Sequence, residues 1–224
     1  MDIVYPLKRV GHNRELRYSL RSLQNLPHDH VFIAGEIQPW VRNVIHIPLP
    51  QRDTKYVNAR ANILTAACDP QVSEDFILMN DDFYVLSSQK RVLPMHQGDM
   101  DEFMATFPFR TAYWDLMVKT RELLRTLGIK KPKFYELHVP CVYNKTKLLR
   151  MVEKLDGETY MMRTVYHNLY KSGGVQREDV KKHKRGQEIV ETDYLSSSNG
   201  MIRRQSFKAW LRKRFPEPCD YESD

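Results

Sequence analysis

Along this chain, short apolar runs of strand length alternate with stretches whose apolar residues recur every three or four positions. Asp2 to Leu7 reads as a strand, with Ile3, Val4 and Tyr5 β-favouring and Pro6 closing it. From Asn13, a good N-cap, to Leu26 the period becomes helical, with Leu16, Leu20 and Leu23 on one face. His30 to Gly35 and Val44 to Pro50 are two further strands, joined through a turn with a short helical piece at Gln38 to Val41. Tyr56 to Cys68 is helical, and strand-length runs return at Phe76 to Met79 and Phe83 to Leu86. Nearly continuous apolar strands in a β-α-β-β order predict an α/β layered domain built on a mostly parallel sheet.

The second half is less regular. His96 to Thr111, with Gly98 and Pro108, reads as an irregular excursion able to cover a site. Ala112 to Leu127 is a helix closed by Gly128, with Trp114, Met117, Val118, Leu124 and Leu127 expected in the core. Phe134 to Tyr143 predicts a strand with His138 in its middle, followed by a helix from Lys145 to Leu155 capped by Asn144. Gly157 to Ser172 predicts a helix stopped by Gly173-Gly174. Lys181 to Arg185 is a charge run placed in a loop, Thr192 to Gly200 is rich in hydroxyls, and Ser206 to Phe215 forms a last amphipathic helix. The tail after Pro216 is expected to fray.

The chemistry-bearing break falls at Asn80-Asp81-Asp82, where a buried strand ends in an amide and two adjacent carboxylates. Adjacent carboxylates at the end of a buried strand need a cation, a donor or a proton to offset their repulsion. Asn and Asp also form turns readily, so a simple hairpin stands beside that reading. Two other stretches carry polar groups in a pattern. Lys8-Arg9-Val10-Gly11-His12 is a basic loop between a strand and a helix N-terminus, a suitable anion cradle. Arg14, Arg17 and Arg21 share a face of the following helix, and Arg21 is read as solvated. Lys55, Asn58 and Asn62 fall on one face of the Tyr56 helix and its entry, although Asn is a poor helix former.

Composition is that of an ordinary globular protein, 42% hydrophobic and 28% charged, and 224 residues suit one domain with appendages. No run approaches a membrane span, and the first residues lack the pattern of a secretory signal, so a cytoplasmic protein is expected. The three cysteines, Cys68, Cys141 and Cys219, have no metal-ligand spacing. The net charge of +7 is uneven: from Arg110 onward there are 24 Lys and Arg against 15 Asp and Glu, and before it 11 against 13. The basic half is either a solvated surface that happens to be basic or the face for an anionic partner, whether nucleic acid, a nucleotide diphosphate or an anionic membrane surface. No phosphate-binding glycine loop or nucleophile elbow is present.

Asn80-Asp81-Asp82 resembles the Asp-x-Asp motif of nucleotide-sugar transferases of the GT-A fold, departing from it by an Asn in the first place. Together with Glu15 to Leu23, the Lys55 to Asn62 helix and His138-x-Pro140, it resembles the characteristic blocks of the Stealth family of sugar-phosphate transferases. The likeness is greater still to small glycosyltransferases encoded by actinobacterial phages, through Gly173-Gly174, Asp179-Val180-Lys181, Leu195 to Ser198 and Phe215-Pro216-Glu217-Pro218. The resemblance implies a GT-A-like layered sheet with helices on both faces and a helical C-terminal part, in one domain over 1–224. Residues 1–90 would bind the nucleotide sugar and 91–224 would serve the acceptor. It implies a UDP-sugar as the first expectation for donor, and Mn²⁺ or Mg²⁺ held by Asp82 and Asp81. Asp81 and His138 would be catalytic, and Tyr5, Lys8, Arg9, Arg17, Lys55, Asn58, Asn62 and Asn80 would line the donor site. The acceptor would be a macromolecule, a phage structural protein or a modified DNA base, in the host cytoplasm. Two alternatives stand beside sugar transfer. A Stealth-like enzyme would move the whole sugar 1-phosphate, and a non-catalytic nucleic-acid-binding module would account for the basic half.

Overall fold

The structure, a computed structural model, describes residues 1–8, 13–51, 54–108, 110–182 and 192–223, without the side chains of Lys55 and Lys182. In chain order its elements are β1 (Asp2–Leu7), α1 (Arg14–Ser22), β2 (Val31–Gly35), β3 (Ile45–Pro48), α2 (Lys55–Cys68), β4 (Asp75–Leu78), β5 (Phe83–Val85) and β6 (Met95–His96). There follow α3 (Met100–Thr106), α4 (Ala112–Thr126), β7 (Cys141–Asn144), α5 (Lys145–Lys154), α6 (Met162–Leu169) and β8 (Val175–Gln176). The last are β9 (Lys181–Lys182), β10 (Tyr194–Ser197), α7 (Asn199–Ile202) and α8 (Gln205–Arg214). They form two units: residues 1–92, 138–149 and 180–224 make the first, and residues 93–137 and 150–179 the second.

The first unit is organised on a five-stranded sheet in the order β3-β2-β1-β4-β7. Its first four strands are parallel and β7 runs antiparallel to β4. This is the mixed α/β class predicted, a mostly parallel sheet flanked by helices. The apolar runs explain it: Ile3, Val4, Tyr5, Phe32, Ile33, Phe76 and Ile77 are all buried, as strands covered on both faces require. Chain direction across the sheet reverses at β1, since β2 and β3 lie to one side of it and β4 to the other. Pro6 fits within the central strand because the β4 pairing with β1 ends at Val4, where Met79 N–H donates to the Val4 carbonyl at 2.9 Å. Two residues on, the side of Pro6 that lacks an N–H meets no β4 strand.

Asn13 caps α1 as predicted, its Oδ1 accepting from Leu16 N at 3.1 Å, and the helix tightens into a 3-10 turn at Leu23–Asn25. Helix α2 packs on β1 and β2, with Ile63, Ala66 and Ala67 buried. Strand β5 does not form a hairpin with β4. It pairs antiparallel with β10, which pairs with β9, in a second sheet whose order is β5-β10-β9. Tyr84, Leu86, Leu195, Met201, Phe207, Leu211 and Phe215 form one apolar cluster that anchors α7 and α8 to this sheet.

Several expectations are corrected. The charge run from Lys181 begins as a strand, because Lys181 and Lys182 pair with Ser196 and Ser197; residues 183–185 lie outside the described residues. The tail is not frayed. Glu222 is 2% exposed, Ser223 N donates to the Trp40 carbonyl at 2.7 Å, and Arg42 N to the Tyr221 carbonyl at 3.1 Å. Arg21 is not solvated: its guanidinium donates to Glu222 at 2.6 and 3.0 Å and to the Phe215 carbonyl at 2.9 Å. A buried carboxylate with two arginines around it turns a polar tail into a docked one. The strand expected over Phe134 to Tyr143 is confined to Cys141–Asn144, the length that the four residues of β4 can pair.

In the second unit the excursion after His96 contains α3, capped by Asp99, whose Oδ1 accepts from Asp101 N at 2.8 Å. Met100, Met104, Met117, Phe134 and Met161 make its core, against which Trp114 and Val118 pack. The helix expected from Gly157 starts only at Met162. Among the described residues no helix is long and apolar enough to cross a membrane.

Candidate active site

Parallel strands open a crevice at their carboxyl ends where the chain changes direction across the sheet, here between β1 and β4. Residues after β1 and β4 meet there. Phe83 N donates to the Asn80 carbonyl at 3.1 Å, closing a turn with Asp81 and Asp82 at its centre. The stretch is a turn, as its residue types allow, but not the turn of a hairpin, since β5 pairs with β10. Ser19 on α1 fixes the turn from beneath, donating to the Phe83 carbonyl at 2.6 Å. With its one proton so used, Ser19 accepts from the Tyr5 hydroxyl at 2.9 Å. Tyr5 is fully buried, and burial pushes its phenol well above the ordinary range, so it stays neutral.

Each aspartate has a different partner. Asn13, the cap of α1, donates from Nδ2 to Asp81 Oδ2 at 2.6 Å, tying the β4 turn across the crevice to the helix N-terminus. Burial raises the Asp81 pKa and the neighbouring Asp82 raises it further, while Asn13 and the positive charge of Lys8 oppose the rise. Asp82 Oδ2 receives Lys181 Nζ at 2.8 Å and Ser196 Oγ at 3.0 Å, and its carbonyl accepts from Ser197 N at 3.2 Å. The repulsion anticipated from two adjacent carboxylates is thus offset by an amide on one and an ammonium on the other.

A third carboxylate joins them. Glu15 lies in the first turn of α1 and accepts from Ser197 Oγ at 2.8 Å; Ser197 in turn accepts from the Tyr84 hydroxyl at 2.9 Å. Burial pushes the Glu15 carboxyl up to about 7; the Ser197 hydrogen bond opposes this, and Asp81 and Asp82 add to the rise. A group poised near neutrality can take or give a proton at working pH.

The other anticipated residues are distributed as follows. His138 precedes β7, and because Leu78 pairs with Cys141 in antiparallel register, it lies at the same sheet end as Asn80 to Asp82. Its ring meets Phe83 edge-on, with centroids 6.2 Å apart. Lys8 is exposed just beyond β1, and Asn80 is half-buried in the turn. Asn62 is fully buried and donates to the Leu7 carbonyl at 3.0 Å while accepting from Gln51 Nε2 at 3.0 Å, so it pins the end of β1 to the middle of α2. Gly35 has a φ of +109°, and a Cβ there would lie 2.1 Å from the Leu7 carbonyl oxygen and 2.5 Å from Asn62 Nδ2; the clip needs glycine. Asn58 is also buried, Lys55 begins α2, and Arg9 lies outside the described residues. Arg17 is held by Glu222 and lies 4.5 Å over the Trp40 ring.

Sequence reasoning gave no role to Glu15, Lys181, Ser196 or Ser197, all of which reach the aspartates or each other. They lay within the stretches Glu15 to Leu23, Asp179 to Lys181 and Leu195 to Ser198 that carried the resemblance, but nothing in those stretches marks that Lys181 and Ser196 meet Asp82, 99 and 114 residues away.

Among the described residues no group of three or more His, Cys, Asp or Glu side chains is arranged to hold a metal. The aspartate pair matches the one or two carboxylates that Mg²⁺ takes when phosphates and water complete its shell. Lys181 already bridges Asp82 Oδ2.

Fold and site together define a mixed α/β protein with three carboxylates, Glu15, Asp81 and Asp82, gathered near its sheet switch point. No protein-family model matches the chain, and no curated protein does. Among solved structures, the chain is similar to the apo-form glycosyltransferase GlyE of Streptococcus pneumoniae TIGR4, at 11% identity and a TM-score of 0.34. That likeness covers 79% of this chain and 44% of GlyE, so the chain spans less than half of that protein's length.

Proposed function

We propose that this chain transfers a sugar from a nucleotide-sugar donor to a hydroxyl of a macromolecular acceptor. The observation that carries the reading is the crevice itself: Asp81 and Asp82 face the N-terminus of α1 at the sheet switch point, with Lys8 and Lys181 beside them. Helix N-termini and lysines at such a crevice favour the diphosphate of a nucleotide. In the reaction, an acceptor oxygen bonds to the anomeric carbon while the bond from that carbon to the diphosphate oxygen breaks, its electron pair leaving with the diphosphate. Glu15, deprotonated, takes the acceptor proton. The Asp81 carboxylate stabilises positive charge developing on the sugar ring, and His138 borders the same sheet end. A Mn²⁺ or Mg²⁺ ion on Asp82 would, when bound, supply positive charge to the departing diphosphate. A UDP-sugar is the first donor to try, with a phage structural protein or a modified DNA base as acceptors.

A panel of nucleoside diphosphates and nucleotide sugars, with and without Mn²⁺, tests this by thermal shift. A donor at a hundredfold its dissociation constant stabilises by about 2.7 kcal/mol, raising the melting temperature by roughly 5–10 °C. The shift is expected to fall in Asp82→Ala. No shift from any nucleotide overturns the reading, and release of nucleoside monophosphate from the donor replaces it with sugar-phosphate transfer.

A further inference from the structure

Behind the crevice, on the opposite side of α1, lies a cleft of about 350 Å³ lined by Arg14, Arg17, Tyr18, Ile202, Lys208 and Arg212. Arg14, Arg17 and Tyr18 are spaced i, i+3, i+4 and so share one face of α1, while Asn13, Glu15 and Ser19 make the hydrogen bonds of the crevice. Lys208 and Arg212 stand one turn apart on α8. Four cations therefore line one concavity, and among the described residues no carboxylate lines it with them. Of the four, Arg17 is compensated by Glu222, which holds its guanidinium in place against Trp40. Arg14, Lys208 and Arg212 have no ion pair among the described residues.

Like charges gathered in a half-enclosed space repel more strongly than on open surface, because water screens them less. An arrangement of this kind is relieved by a multivalent anion. Guanidinium groups match the oxygens of a phosphate in two-pronged fashion, and Lys208 adds a point charge. Tyr18 and Ile202 give the same cleft an apolar wall, suited to the sugar or base attached to a phosphate and superfluous for a bare inorganic ion.

From this geometry we infer that the cleft between α1 and α8 is a second binding site, specific for phosphate esters and distinct from the Asp81–Asp82 crevice. It gives the basic second half of the sequence, which supplies Lys208 and Arg212, a defined ligand class. The inference does not depend on sugar transfer, since it concerns binding and is measured without a donor.

The test uses the full chain and two probes: a fluorescein-labelled single-stranded oligonucleotide followed by anisotropy, and a labelled nucleoside diphosphate followed by equilibrium dialysis. Lys208→Glu with Arg212→Glu is compared with wild type over a range of salt. For the oligonucleotide, losing two phosphate contacts lowers the slope of log K against log salt by about 1.4 and weakens binding at least tenfold at low salt. A loss confined to the oligonucleotide assigns the cleft to a phosphodiester chain, and a loss confined to the diphosphate assigns it to a single nucleotide; either supports the inference. Unchanged binding of both probes overturns it, as does equal binding of polyglutamate and oligonucleotide. If the double variant fails to fold by circular dichroism, the single changes Lys208→Gln and Arg212→Gln carry the same comparison, with about half the change in slope.

Discussion

Replacing Glu15 by Gln is expected to make the protein more stable and less active. The Glu15 carboxyl has its ordinary value near 4.5 in the unfolded chain and is pushed up to about 7 in the fold, chiefly by burial. The folded state therefore binds this proton more tightly than the unfolded state. The stability it contributes is complete below pH 4.5 and is lost as pH rises through 7. The gap from 4.5 to about 7 corresponds to roughly 3 kcal/mol, and partial access of water to the group reduces this to about 2–3 kcal/mol. Gln keeps the shape and an oxygen to accept from Ser197 Oγ, but carries no charge at any pH. Urea unfolding of both proteins at pH 5 and pH 8 isolates the effect, because every other titrating group is common to both. At pH 8 Glu15→Gln should be the more stable by about 2–3 kcal/mol, or roughly 4–12 °C in melting temperature, and the advantage should fall to about a quarter of that at pH 5. The same variant should lose its turnover. Equal stability at pH 8, or a variant less stable than wild type there, would refute the placement of Glu15 as a buried acid near neutrality.

Two further outcomes follow from the same contacts. Asn13→Ala removes the cap of α1 and the amide that holds Asp81, and should cost about 1–2 kcal/mol by chemical denaturation while moving the acidic limb of any pH-rate profile upward. Glu222→Ala leaves Arg17 and Arg21 without their shared carboxylate and should destabilise by about 3 kcal/mol by the same measurement, with proteolysis now cutting after residue 215.

The central sheet was legible in the sequence because β1, β2 and β4 are buried on both faces and so are apolar nearly throughout; Ile3 to Tyr5, Val31 to Ala34 and Phe76 to Leu78 needed no partner to be recognised. Helix α1 was legible for a related reason, since its leucines repeat at helical spacing and Asn13 marks its start. The two carboxylates declared that something must offset them. What offsets them could not be read, because Lys181 and Ser196 are set opposite Asp82 by the pairing of β5 with β10 and β9, which local sequence does not encode. Of the residues that helical spacing put on one face of α2, Asn58 and Asn62 are both buried, and Asn62 ties the end of β1 to the helix, a contact with a residue 55 positions earlier that local sequence does not encode. Glu222 was invisible for the simplest reason, being one acid in a short polar stretch whose partners are two arginines some 200 residues earlier.

That separation has a temporal side. Arg17 and Arg21 leave the ribosome 205 and 201 residues before the carboxylate that receives them, an interval of roughly 10–40 s at ordinary rates of synthesis. Asp82 likewise waits 99 residues for Lys181 and 114 for Ser196. The crevice is thus assembled late, from segments whose chain separation makes their meeting slow. A nascent chain that has not yet exposed residue 196 holds Asp82 without the ammonium and the hydroxyl that offset its charge.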